Sequence, residues 1–168
     1  MSILKANALL DTSGNVLSRV LQVKYTHTTI AGNLSNGDTI SQLTTNITPS
    51  ATSSSILVFV NFGLVSSDSA ADVGFDILRD STTLELGSGG SGSPGNVTSG
   101  CFTSQGNSTG YSATALLIDD QISTTSQVAY SVVARPNSGR QFTINRRGLD
   151  NALHCQSRMI LMELPKVN

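Results

Sequence analysis

The sequence contains few charged residues. Asp, Glu, Lys and Arg together make up 12% of the 168 residues, and 10 basic against 11 acidic residues leave a net charge of −1. The only local basic cluster, Arg140 with Arg146 and Arg147, fits a solvated strand end. Because neutralisation of phosphates by Lys and Arg dominates nucleic-acid affinity, we expect no nucleic-acid partner.

Long apolar runs are also missing. The longest, Ile56–Val60, is far shorter than the ~20 residues that a membrane-spanning helix needs. The first residues, Met1–Leu10, carry one Lys and an interrupted apolar stretch, which is not the pattern of a signal peptide. The sequence therefore predicts no association with a membrane.

Cysteine is scarce, and the two residues present cannot form a disulfide framework. Because cysteine often acts as a small buried hydrophobe, we favour two free buried thiols at Cys101 and Cys155. A single bridge between them stays open as the alternative.

Groups that could perform catalysis or hold a cofactor are sparse. His27 and His154 lie in or beside different predicted strands and have no metal-binding spacing around them. Asp119–Asp120 is the only adjacent carboxylate pair, and turn chemistry at a strand end explains it, although calcium binding in that loop stays open. The sequence thus predicts no catalytic residues, no cofactor and no metal site, and hence no enzyme.

Serine and threonine take the place of the missing charges, with 25 Ser and 18 Thr. Turn-forming residues punctuate the chain at the spacing of many short strands, and almost no segment has helical period. The candidate strands are Leu21–Tyr25, Leu43–Ile47, Ile56–Val65, Val73–Ile77, Thr82–Leu86, Val97–Thr103, Ala113–Ile118, Val128–Ala134, Phe142–Ile144 and Arg158–Leu164. About ten strands fit an all-β fold with a single jelly-roll-like β-sandwich.

Two of these strands have informative patterns of apolar residues. In the first, Leu21, Val23 and Tyr25 share one face, which we expect to be buried. Ile56–Val65 is apolar on both faces, which is typical of a strand inside a sandwich or against another subunit. Its two predicted faces are Ile56, Val58, Val60, Phe62 and Leu64 on one side, and Leu57, Phe59 and Val65 on the other.

Two segments stand apart from the strand pattern. Gly87–Gly95 is rich in Gly and Ser and predicts a mobile surface loop. Residues 1–14 precede the first strand and cannot bury their apolar side chains within themselves, so we predict a short N-terminal docking arm and place the sandwich domain at residues 15–168. The docking residues are Ile3, Leu4, Leu9 and Leu10.

Four segments resemble a family. The family is that of short structural and tail-fibre-like bacteriophage proteins. Its opening arm resembles Ser2–Asn15, and its Pro-Ser turn with the central strand resembles Ile47–Val58. Its strand-turn-strand with an LRD edge resembles Gly74–Leu84, and its closing strand resembles Ser157–Glu163. The likeness is greatest to those of phages of aquatic bacteria and cyanobacteria. Such domains resemble the trimeric jelly rolls of tumour necrosis factor and of complement globular heads.

The resemblance implies a homotrimer that has no active site. It also implies that this homotrimer lies on the outer surface of a phage particle. We expect Leu57, Phe59 and Val60 at the trimer interface, and the major capsid protein or another virion protein as the partner of the arm. A capsid decoration (cement) protein is the first interpretation. The alternative is a receptor-binding tail-fibre or spike tip, for which Tyr25, Tyr111 and Tyr130 offer a thin aromatic platform. A hydrolytic appendage fits least, since no suitably paired carboxylates are evident.

Overall fold

The computed structural model describes residues 20–67, 71–84, 87–88, 95–103, 110–137, 139–148, 150 and 152–165. Within these ranges the chain forms eleven β-strands and one turn of 3-10 helix at Ser41–Leu43. The strands are β1 (Gln22–Thr28), β2 (Gly32–Leu34), β3 (Thr45–Ile47), β4 (Ser55–Ser67), β5 (Ala71–Arg79), β6 (Thr82–Leu84), β7 (Ser99–Thr103), β8 (Tyr111–Asp119), β9 (Val128–Pro136), β10 (Phe142–Ile144) and β11 (Ser157–Leu164).

The strands form two antiparallel sheets packed as a sandwich. One sheet has the order β1-β11-β4-β10-β2, with β8 also paired to β4, and the other has the order β3-β9-β5-β6, with β7 also paired to β5. Eight strands follow the nested pairing of a jelly roll, because β1 pairs with β11, β3 with β9, β4 with β8, and β5 with β6. The predicted all-β, jelly-roll-like sandwich is therefore confirmed.

Aromatic rings join the two sheets at the centre of the core. Phe62 on β4 stacks on Phe75 of β5 with ring centroids 3.8 Å apart, and Phe142 on β10 meets Phe75 edge-on at 5.3 Å. All three side chains are almost completely buried. These contacts hold the sheets together in a chain that has no tryptophan.

The long strand β4 changes its alternation near its end. Its pairing with β8 shifts register between Phe62 and Val65, which marks a β-bulge or irregularity. As a result Val65 is fully buried, whereas Leu64 is only partly buried. The prediction placed Leu64 on the face of Val60 and Val65 on the opposite face, and both assignments were wrong. A bulge inserts one residue and reverses the alternation of side chains after it.

Strand β1 is oriented opposite to the expectation. Val23 and Tyr25 are 51% and 72% exposed, so the face predicted to be buried points away from the core. β1 lies at one edge of the larger sheet and pairs only with β11. The alternation was real, but it marks the outer face of the sheet.

In the part of the chain that the structure describes, no helix is long and apolar enough to span a membrane. Cys155 is a partly buried free thiol, and the side chain of Cys101 lies outside the described residues.

A buried carboxylate ties three segments together at one end of the sandwich. Glu163 on β11 is fully buried, and its Oε1 accepts hydrogen bonds from the Ser50 backbone N–H at 2.7 Å and from the hydroxyls of Ser50 and Ser54 at 2.6 and 2.5 Å. Its Oε2 accepts one from Gln22 Nε2 at 2.5 Å. Burial opposes ionisation, but the hydrogen bonds from Ser50, Ser54 and Gln22 outweigh it and hold the pKa of Glu163 below its ordinary value.

We predict that Glu163→Gln lowers the free energy of unfolding at pH 7 by roughly 2–4 kcal/mol, because the amide removes the charge and an acceptor from these hydrogen bonds. Since the folded pKa is depressed, this stabilisation is complete above about pH 5 and is lost as the pH falls through the folded pKa. Urea unfolding at pH 7 and pH 4 measures both effects. Asp120→Asn, at an exposed carboxylate, is the control and should change stability by less than about 0.5 kcal/mol. An equally small change for Glu163→Gln would contradict the assignment.

Candidate interaction surface

The outer face of the larger sheet is apolar across four adjacent strands. The strand pairings align side chains in rows that run from β1 through β11 and β4 to β8. The first row is Val23, Met162, Leu57 and Ile118, and the second is Tyr25, Ile160, Phe59 and Leu116. We call these eight residues the apolar face.

Exposure is highest at the two sides of the apolar face. Tyr25 is 72% and Val23 51% exposed on β1, while Leu116 is 63% and Ile118 39% exposed on β8. The central side chains on β11 and β4 are only partly covered by their neighbours. A single exposed apolar side chain is ordinary, but a contiguous patch of this kind marks an interaction surface.

A third row beside the apolar face is polar. It consists of His27, Arg158, Asn61 and Thr114 on the same four strands. Asn61 Nδ2 lies 3.3 Å from Thr114 Oγ1, and the His27 ring stacks on Tyr25 with centroids 6.4 Å apart. None of the three rows contains a carboxylate, so Arg158 carries the one permanent charge of these twelve residues.

The predicted trimer-interface residues divide between the two faces of β4. Leu57 and Phe59 belong to the apolar face, whereas Val60 is fully buried in the core of the single chain. Adjacent residues of a strand point to opposite faces, so Val60 cannot share a surface with Phe59. Val60 is therefore corrected to a core residue, and the role of the other two stays a prediction.

Sequence reasoning missed most of the apolar face. Its remaining members, on β1, β8 and β11, are Val23, Tyr25, Leu116, Ile118, Ile160 and Met162. A usable signal was present, because Leu116–Ile118 and Met159–Met162 are apolar at consecutive positions and so on both faces, like β4. The predicted docking residues are Ile3, Leu4, Leu9 and Leu10, which lie outside the described residues, as does the boundary at residue 14.

The Asp119 carboxylate is occupied by protein donors. Arg79 Nη1 lies 2.7 and 2.8 Å from its two oxygens, the Tyr130 hydroxyl donates at 2.7 Å, and the Gln121 backbone N–H at 3.2 Å. Burial, followed by the hydrogen bond to Asp119, raises the pKa of Tyr130 and keeps this phenol a donor. Calcium could bind here only by displacing these donors, so the arrangement supports a structural role.

This ion pair borders a cleft of about 290 Å³ between β6 and the end of β8. The other residues that line it are Thr82, Thr83, Leu84, Leu117, Ile118, Asp120 and Gln121. Among the described residues, no group of three His, Cys, Asp or Glu side chains is placed to hold a metal ion.

Comparison with known proteins identifies no family. No protein-family model and no curated protein matches the chain. Among solved structures, a chain in "Structure of infectious bursal disease virus Gx strain" is similar over 98% of this chain and 43% of that chain, with 12% identity and a TM-score of 0.34. The chain thus spans less than half the length of that viral protein, and the likeness is too slight to assign a function.

We predict that Arg79→Met lowers the free energy of unfolding by roughly 2–4 kcal/mol, because it leaves the Asp119 carboxylate buried without its cation. Asp150→Asn, which breaks the exposed pair with Arg147, is the control and should change the free energy of unfolding far less than Arg79→Met does. Added calcium should leave the melting temperature of the wild-type protein unchanged. A clear rise with calcium, absent in Asp119→Asn, would show that the loop is a cation site.

Proposed function

We propose that this protein is a non-enzymatic, homotrimeric structural protein of a phage particle that decorates the outside of the head. The observation that supports it best is the apolar face, a surface that a lone molecule would leave in contact with water. Burial of a Leu, Ile or Phe side chain contributes about 1.5–3 kcal/mol, so covering this face provides a strong drive to assemble.

A second copy of the chain is the occupant that we assign to the apolar face. Interfaces of obligate homo-oligomers are largely hydrophobic and resemble a domain core cut in half, which describes the face's composition. Its residues come from four strands of a rigid sheet, so little ordering entropy opposes association. A head-to-tail contact that closes after three copies gives the homotrimer that the family resemblance implies.

The buried carboxylates support a structural role over an enzymatic one. Glu163 is bound by serine and glutamine donors, Asp119 by Arg79 and Tyr130, and Asp76 by Arg135 Nε at 2.5 Å. Each therefore braces local structure instead of facing another carboxylate across a site. In this proposal, neither acid-base chemistry nor a cofactor takes part.

Attachment to the particle is assigned to the N-terminal arm. Gln22, at the start of β1, pairs with Glu163 near the end of β11, and Glu163 also anchors Ser50 and Ser54. The part of the chain that the structure describes thus begins, at Val20, beside this braced end of the sandwich. In this proposal, Ile3, Leu4, Leu9 and Leu10 bind the major capsid protein or another virion protein, and three arms act together through avidity.

We predict that the purified protein has a mass near three times 17.5 kDa in light scattering. Leu116→Lys should convert it into a folded monomer, because this side chain is 63% exposed in the single chain and a lysine there would place a charge in the interface. Thr82→Lys is the matched control, on an exposed position of the other sheet, and should leave the trimer intact. A stable wild-type monomer at micromolar concentration would overturn the proposal.

A second experiment tests the arm. Deletion of residues 1–10 should leave a folded trimer that no longer binds particles lacking the protein, because the apolar docking side chains are gone. Occupancy of the particles, counted in images after mixing, provides the measurement. The double change Leu9→Ser and Leu10→Ser should weaken binding in the same direction. Normal occupancy by the deletion variant would place the attachment site on the jelly-roll body.

A further inference from the structure

The only permanent charge of the three rows has an ionisable neighbour. His27 on β1 lies directly opposite Arg158 on β11 in the antiparallel register, and both side chains are exposed in the single chain. Arg158 Nε donates to Gln156 Oε1 at 2.9 Å, so the described contacts of this guanidinium include no carboxylate. Two groups that can both be positive are therefore side by side.

Among the described residues, the elements around His27 supply no compensating acid. Asn61 and Thr114 complete its row, and the 3-10 helix Ser41–Leu43 and strand β3 beside β1 contain no charged residue. On β1 itself, Lys24 belongs to the opposite alternation. On β11, Glu163 points inward to its own donors.

Other nearby charges are basic or already paired. From the loop after β10, Asn145 Nδ2 donates to the backbone oxygen of Thr28, next to His27. The residue that follows, Arg146, donates to Asn33, and Arg147 pairs with Asp150. Among the described residues around His27, the carboxylates that the structure places nearby are therefore already engaged by other donors.

The His27 ring is also continuous with the apolar face. It stacks on Tyr25 with an interplanar angle of 14°, and Tyr25 is the most exposed member of that face. A molecule that covers Tyr25 will therefore reach the imidazole. The row of His27 and the row of Tyr25 are roughly 6.7 Å apart along the strands. An ordinary interface between subunits is wide enough to cover both rows.

We propose that the His27–Arg158 pair makes the oligomer acid-sensitive, so that protonation of His27 weakens the contact between copies. The inference rests on the proposed function, because it takes the apolar face to be the subunit interface. A histidine side chain ordinarily gains its proton between pH 8 and pH 5. The added charge then opposes Arg158 across the strand pair and must lose part of its hydration when a second copy covers the neighbouring Tyr25, and both effects oppose association.

The acid response of the interface is separate from the acid response of the fold. Glu163 has a pKa below its ordinary value, so it stays ionised and the sandwich keeps this bracing at pH 5.5. Dissociation between pH 7.5 and 5.5 should therefore release folded subunits. Far-UV and near-UV circular dichroism at both values checks that the fold is unchanged.

The test measures the concentration at which the oligomer dissociates at pH 7.5 and at pH 5.5, by analytical ultracentrifugation. For the wild-type protein we expect this concentration to rise by about tenfold or more at pH 5.5. His27→Gln, which is neutral at both values, should abolish the rise, and Arg158→Gln should reduce it. His154→Gln is the matched control, since His154 is exposed in the loop before β11 and belongs to none of the three rows.

The outcomes separate the two proposals. A wild-type monomer at pH 7.5 would overturn the proposed function and this inference with it. A stable oligomer with the same dissociation concentration at both pH values would overturn the inference and leave the proposed function standing. So would an acid response that persists unchanged in His27→Gln.

Discussion

The alternation of side chains along a strand is the constraint on which this structure depends. β4 is apolar at consecutive positions, and β8 and β11, its two main neighbours, share that property. Only one side of a sheet can face the second sheet of a sandwich. The inward residues, among them Val58, Val60 and Leu161, therefore build the core, and the residues between them must form an apolar outer surface.

Much of the fold was predictable because regular alternation of apolar and polar residues identifies short strands in the sequence. The series Val73, Phe75 and Ile77 on β5 is buried as expected, and so is the series from Val128 to Ala134 on β9. What sequence reasoning could not supply was direction. The alternation of Leu21, Val23 and Tyr25 defines two faces but not which one meets the core, because that depends on the position of β1 at a sheet edge. The residues around the bulge in β4 and in the three-residue strand β2 could not be distinguished from ordinary turn residues in the sequence.

Only part of the apolar face could be predicted from the sequence, and its role as a subunit contact stays a prediction. A two-faced strand indicated a subunit contact, and Leu57 and Phe59 do lie on the outer face. The prediction for Val60 was wrong because it placed Phe59 and Val60 on one surface. Side chains of consecutive residues in a strand point to opposite faces of the sheet. The other six members of the apolar face come together only through the register of four strands distant in sequence. No single segment could reveal that juxtaposition.

The scarcity of charge is consistent with the proposed assembly of the protein. Three buried carboxylates serve as local braces, which leaves the rest of the chain to interact through hydroxyls, amides and apolar side chains. Such contacts respond weakly to salt.

Hydroxyl-radical footprinting of the assembled protein at pH 7.5 tests the central claim most directly, because it measures the exposure of individual side chains. Tyr25, Leu116 and Met162 should be protected in the concentrated protein and should become reactive on dilution or in Leu116→Lys. Tyr111, which is exposed at the other end of β8, should react equally in every sample. Strong labelling of Tyr25 and Met162 at all concentrations would show that the apolar face stays open to water, and the account of this surface would be wrong.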